Sequence, residues 1–214
     1  MILFSDEAIF FGGNTVYCSG QKLYNNQSVL SIGKGKPDEA IKKAALRGNS
    51  SDDHTFIIME LKSFYIVRFP DCDPLAHLNN SRYLDYFLNA REDHLRENFD
   101  LLITDFLQQG MGWVVRQHEI QYLRPAVYNE KICITSQIIQ LETSNLVVEL
   151  KMLDEKEVNL KAILWTHFTC IDPKTGKRKD HTPEFIGLAT KLGIGEVNME
   201  AGISERVKAL RSLA

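Results

Sequence analysis

A two-layer α+β domain, in which one long helix lies against a curved antiparallel five-stranded sheet, is the fold class that this chain predicts. Two observations carry that expectation. Tyr83, Leu84, Phe87, Leu88 and Leu95 recur at helical spacing through a stretch that runs from Asn80 to about Phe99. One segment before that stretch and four after it are rich in β-branched and aromatic residues and are cut by turn residues. A helix with one apolar stripe buries it on a neighbouring layer, and this order of elements supplies a sheet.

The elements follow in order. Residues 1 to about 35 hold three short strand signals, Ala8-Ile9-Phe10-Phe11, Thr15-Val16-Tyr17-Cys18 and Ser28-Val29-Leu30-Ser31-Ile32, separated by Gly12-Gly13, Gly20 and Asn25-Asn26. A helix is expected over 37–47. Pro37 suits its first turn, Asp38 and Glu39 meet the positive end of its dipole, Lys42, Lys43 and Arg47 the negative end, and Gly48 its cap. Neither Gly12-Gly13 nor Gly33-Lys34-Gly35-Lys36 has the spacing of a phosphate loop, so both read as turns. Asn49 to Asp53 is a polar linker, so residues 1–53 form an N-terminal β/α extension ahead of a main domain at 54–185 and a helical tail at 186–214.

Within the main domain the first strand is expected over Phe56–Phe69, ended by Pro70. After the helix, Trp113–Leu123 alternates His118, Ile120 and Tyr122 with Gln117, Glu119 and Gln121, as one buried face and one polar face require. Ile132–Leu141 and Leu146–Leu153 flank Glu142-Thr143-Ser144-Asn145 as a hairpin. Leu160–Ile171 supplies the last strand, closed by the turn residues Asp172-Pro173-Lys174-Thr175-Gly176. Pro183–Leu192 and Ser204–Leu213 read as short terminal helices.

Composition removes several function classes. With 214 residues and 44% hydrophobic content, the chain can bury roughly 70% of its unfolded surface. A net charge of −3 gives no basic footprint for nucleic acid. The four cysteines, Cys18, Cys72, Cys133 and Cys170, form no C-x-x-C pair and suit reduced thiols. The opening Met-Ile-Leu-Phe-Ser-Asp-Glu lacks a basic region followed by an apolar one, and no apolar run approaches the roughly 20 residues of a membrane span. A cytoplasmic protein with neither membrane nor nucleic-acid partners is expected.

Polar reactive groups crowd one place, Asp71-Cys72-Asp73-Pro74-Leu75-Ala76-His77-Leu78-Asn79-Asn80-Ser81-Arg82-Tyr83, where the first strand gives way to the long helix. Pro74 holds Asp73 in an extended conformation. A carboxylate there sits just ahead of the backbone N–H groups that a helix start leaves unpaired, which puts a base beside an anion site and suits attack on a carbonyl. Asn79 and Asn80 are good helix caps. His77, His94 and His118 share no zinc spacing, and nothing marks Cys72 as a nucleophile.

Strand, helix and four strands is also the element order of the hotdog fold. Asp73-Pro74 followed by His77-Leu78-Asn79-Asn80 and Tyr83 resembles the signature of the 4-hydroxybenzoyl-CoA and YbgC-like acyl-CoA thioesterases, with similarity to acyl-ACP thioesterases. The resemblance covers about residues 56 to 185, including Leu123-Arg124-Pro125-Ala126. It departs at three positions: Ala76 stands where the CoA enzymes usually carry Gly, Leu75 where the acyl-ACP enzymes carry a catalytic Asn, and Leu88 replaces a frequent Glu.

The resemblance implies hydrolysis of an acyl-CoA or acyl-ACP thioester to acid and thiol without a metal or other cofactor, in a homodimer or homotetramer with sites between subunits. It makes Asp73 the catalytic carboxylate, as nucleophile or as general base for water. The backbone N–H near Asn80 becomes the oxyanion donor. His77 orients the thioester, donates to its carbonyl or bonds Asp73. Asn79, Tyr83 and Arg124 are the expected substrate contacts; from charge alone, Arg124, Lys174, Lys177, Arg178 and Lys179 are the candidates for the carrier phosphates, set against the plainer reading of a solvated charge run. A non-catalytic acyl-thioester sensor and a hotdog hydratase or dehydratase are the rival readings.

Overall fold

The structure, a computed structural model, describes residues 61–212 in full, together with the backbone of the strands β1 (Val16–Cys18), β2 (Gln21–Tyr24), β3 (Leu30–Ser31) and β4 (Ile58–Met59). Contacts divide the chain into one unit of residues 1–60 with 188–193 and a second of residues 61–187 with 194–214. In the first, β3-β1-β2-β4 form a small sheet: β1 and β2 are antiparallel through Tyr17↔Lys22, β1 and β3 parallel through Val16↔Leu30. Two of the three expected N-terminal strands are thus present. The Ala8–Phe11 strand and the 37–47 helix lie outside the described residues.

The second unit holds β5 (Leu61–Ile66), the helices α1 (Arg82–Phe99) and α2 (Ile103–Gln108), and the strands β6 (Gly112–Tyr122), β7 (Lys131–Leu141), β8 (Asn145–Asp154) and β9 (Leu160–Ile171). Helices α3 (Pro183–Leu192) and α4 (Gly202–Ser212) follow. The five strands form one antiparallel sheet in the order β5-β7-β8-β9-β6, with β6 at an edge. The strand expected over Phe56–Phe69 occurs as two pieces in two sheets, β4 and β5. Pro70 sits in a tight turn over Phe69–Asp71 that ends the pairing. Helix α2 has no strong sequence signal, being six residues long; the Asp105 carboxylate caps it by accepting from the Leu102 N–H at 2.9 Å.

Helix α1 packs on β5 and β7 through Tyr83, Phe87, Ala90 and His94, all buried and spaced by three or four residues. Burying a side chain such as Phe87 is worth roughly 1.5–3 kcal/mol. Leu88, expected on the same stripe, is exposed, because it projects from the flank of the helix rather than its sheet side. Among the described residues no helix is long and apolar enough to cross a membrane.

His94 is a buried polar group in this layer. Its Nδ1 lies 2.7 Å from the Ser136 hydroxyl, and its Nε2 has no hydrogen-bond partner among the described residues. Burial first, then the neighbouring Arg91 charge, pushes the imidazole down to about 4, with Asp93 opposing. The unfolded chain therefore takes up a proton that the folded chain refuses as pH falls from about 6.5 toward 4. Stability is full above that window and declines through it, by an amount on the order of 3 kcal/mol for this group. Urea melts between pH 7.5 and 4.5 should show His94→Gln losing less stability than the parent; equal losses would place the acid sensitivity elsewhere.

Candidate active site

The strand-to-helix segment folds as a small hairpin. Asp73 N–H donates to the His77 carbonyl at 2.7 Å and Asn79 N–H to the Asp71 carbonyl at 2.9 Å, with a bridge between Cys72 and Leu78. Pro74 to Ala76 form its turn. The Asp73 Oδ1 accepts from the backbone N–H of Leu75 at 2.9 Å and of His77 at 3.0 Å, which clamps one carboxylate oxygen and fixes the direction of the other. Side-chain capping of this kind is why Asp suits a tight turn.

Ala76 takes φ 59°, a left-handed conformation that costs a residue with a Cβ about 1–2 kcal/mol. Glycine, which has no Cβ, would adopt this conformation without that cost. Ala76→Gly relieves this strain against the roughly 0.5–1 kcal/mol that glycine's unfolded freedom costs. A net gain of about 0.5–1 kcal/mol in thermal or urea unfolding is the expected result; a loss would show that the methyl group packs productively.

The hairpin is seated on the β6–β7 connection, where Leu78 N–H donates to Ala126 at 2.7 Å and Tyr128 N–H to Ala76 at 2.9 Å. Beyond it the chain enters α1. Asn79 is the cap: its Oδ1 accepts from the Ser81 N–H at 3.0 Å and from the Ser81 hydroxyl at 2.9 Å. The Asn80 side chain is exposed, its carbonyl accepts from the Tyr122 hydroxyl at 3.0 Å, and its own N–H has no hydrogen-bond partner among the described residues. Ser81 already has helical φ and ψ, so this N–H opens the first turn of α1.

Asp71 and Tyr86 brace the hairpin from behind. The Tyr86 hydroxyl donates to the Asp71 carboxylate at 2.9 Å and accepts from the Arg68 N–H at 3.2 Å, while Arg82 lies 3.8 Å from the same carboxylate. Desolvation first, then its bond to Asp71, raises the Tyr86 phenol and keeps it protonated. Cys72 donates to the Arg68 carbonyl, and desolvation together with the Asp71 and Asp73 charges raises its thiol, which opposes a thiolate role.

Asp73, His77 and Asn79 are thus brought together in one hairpin, with Asn80 next along the chain. The half-buried His77 imidazole makes no hydrogen bond among the described residues. Tyr83 is 3% exposed, its hydroxyl accepts from the Ala126 N–H at 3.2 Å, and its ring meets Tyr122 edge-on at 5.0 Å. Its hydroxyl therefore joins helix to loop. Arg124 bonds the Asn159 side chain and faces a separate groove. Tyr122 was legible only as a strand residue on the buried face; its contact with Asn80 joins residues 42 positions apart in the chain.

Residues 67–189 match the model of the thioesterase-like superfamily. The chain belongs to that superfamily. This thioesterase is 36% identical over 111 residues to the long-chain acyl-CoA thioesterase FadM of Escherichia coli (strain K12), which covers 52% of the chain and 83% of the relative. It resembles the crystal structure of the probable thioesterase YbaW from Escherichia coli with a TM-score of 0.55 and 28% identity, over 63% of this chain and 99% of that one. The DHNA-CoA thioesterase of Staphylococcus aureus, at 19% identity and a TM-score of 0.57 over 65% of this chain and 99% of that one, shares the fold. The five-stranded antiparallel sheet with its helix is the hotdog fold of these thioesterases, and thioester hydrolysis is the chemistry of this protein.

Proposed function

We propose that this thioesterase hydrolyses acyl-CoA, with long-chain acyl groups as the first candidates because of its identity to FadM. The observation that carries the reading is the Asp73 carboxylate, clamped through one oxygen and followed seven residues later by the unpartnered Asn80 N–H at the start of α1. In this reading the free Asp73 oxygen attacks the thioester carbonyl or takes the proton of an attacking water, and the Asn80 N–H holds the oxyanion that forms. Collapse of the tetrahedral intermediate breaks the C–S bond and expels the thiolate, which takes up a proton as thiol; on the nucleophilic route this leaves a mixed anhydride on Asp73, which water then hydrolyses to the free acid and the regenerated carboxylate. His77 orients the thioester, Asn79 holds the helix start, Tyr83 fixes the β6–β7 loop beside it, and Arg124 meets the carrier.

A cytoplasmic homodimer or homotetramer with sites between subunits fits the exposed Val114 and Val115 on edge strand β6, since an uncovered edge favours pairing. Residues 54–185 would form the catalytic domain, with 1–53 and 186–214 as appendages. Acyl-ACP is the alternative carrier. Thiol release from matched acyl-CoA and acyl-ACP substrates tests the choice: a higher kcat/KM for the CoA thioester is expected, and a preference for the carrier protein would overturn it.

A further inference from the structure

The two peptide units that meet at Asn80 are held in different ways. Helix α1 begins at Arg82, so the Asn80 carbonyl lies ahead of the helical ladder. Both polar groups of the unit between Asn80 and Ser81 are paired all the same. The Ser81 N–H donates to the Asn79 Oδ1 at 3.0 Å, and the Asn80 carbonyl accepts from the Tyr122 hydroxyl at 3.0 Å. In the unit between Asn79 and Asn80, the Asn79 carbonyl accepts from the Arg82 N–H at 2.8 Å. The Asn80 N–H is the one polar group of the two units without a partner among the described residues. Peptide units are planar, so pinning both of them fixes φ and ψ of Asn80 and with them the direction of that N–H.

Tyr122 makes the one of these bonds that comes from outside the hairpin and the helix start. It ends the edge strand β6, where it pairs with Ala162 of β9, and its ring meets that of buried Tyr83 edge-on at 5.0 Å. Strand and helix therefore both hold the hydroxyl in place. Desolvation raises the phenol, which keeps it a donor. A donor that meets developing charge stabilises it fully only when aimed beforehand, and a misplacement of about 1 Å can cost 10²-fold in rate.

We infer that Tyr122 is a positioning residue for hydrolysis: by holding the Asn80 carbonyl, its hydroxyl aims the Asn80 N–H at the oxyanion. The inference rests on the oxyanion role proposed for that N–H and names what orients it. Tyr122→Phe tests it, because the ring and its contact with Tyr83 stay while the hydroxyl goes. With palmitoyl-CoA, kcat should fall by roughly 10- to 100-fold. KM, and the binding of S-hexadecyl-CoA, which has no carbonyl to become an oxyanion, should stay within about twofold of the parent. The melting temperature and the shape of the pH profile should not move, since Tyr122 passes no proton. A kcat within about twofold of the parent overturns the role. So does a loss accompanied by a lower melting temperature or weaker S-hexadecyl-CoA binding, which a structural or binding role would produce. Loss of one limb of the pH profile would make the phenol a proton donor instead. Asn80→Pro, measured beside it, deletes the N–H without breaking a hydrogen bond seen among the described residues. A folded Asn80→Pro variant as active as the parent overturns the oxyanion reading and the inference together, whereas an inactive one beside a fully active Tyr122→Phe overturns the role of Tyr122 alone.

Discussion

Asp73→Asn should leave a folded protein that has lost roughly 10²–10⁴-fold or more of its thioester hydrolysis. The amide keeps an oxygen that can accept the Leu75 and His77 N–H groups, so the hairpin retains its clamp. What it loses is the negative oxygen that attacks or takes a proton. Asp73→Ala separates the two jobs, because it removes the clamp as well and should cost a further 1–3 kcal/mol of stability. Thermal melts beside activity assays read both effects; an Asn variant that melts like the parent and keeps its activity would move the chemistry to another group.

Arg206→Met should destabilise the protein by about 3–5 kcal/mol. Strand alternation puts Glu149 on the sheet face opposite Leu150, and there the carboxylate is 1% exposed. Arg206 of α4 donates to it twice, at 2.8 and 2.9 Å, and the Trp165 indole N–H donates at 3.0 Å. Removing the arginine leaves a buried charge without its counter-charge. Combining Arg206→Met with Glu149→Gln neutralises that charge while keeping an acceptor for Trp165, and it should restore most of the loss. A single variant within 1 kcal/mol of the parent in urea unfolding would show that α4 does not depend on this pair.

The sequence made the main domain legible wherever a pattern is local. Helix α1 and strands β6 to β9 lie close to the expected ranges because spacing and turn residues repeat over ten or more positions. The candidate site was legible for the same reason: Asp73, His77, Asn79 and Asn80 fall within eight residues, and a helix start follows them. Long-range contacts left no such trace. Glu149 and Arg206 are 57 residues apart, and Tyr122 meets Asn80 across 42. Ala76 could be recognised as unusual only by resemblance, since its positive φ is set by the hairpin closing around Asp73. Leu88 misled because helical spacing gives a stripe wider than the surface the sheet covers.

The most direct test of catalysis by Asp73 is thiol release from a long-chain acyl-CoA by the parent and by Asp73→Asn, with acyl-CoA binding measured for both. Turnover by the parent, and binding without turnover by the variant, is the predicted result. Tight binding with no turnover by the parent would make the protein an acyl-thioester sensor, and turnover by the variant within tenfold of the parent would remove Asp73 from the reaction.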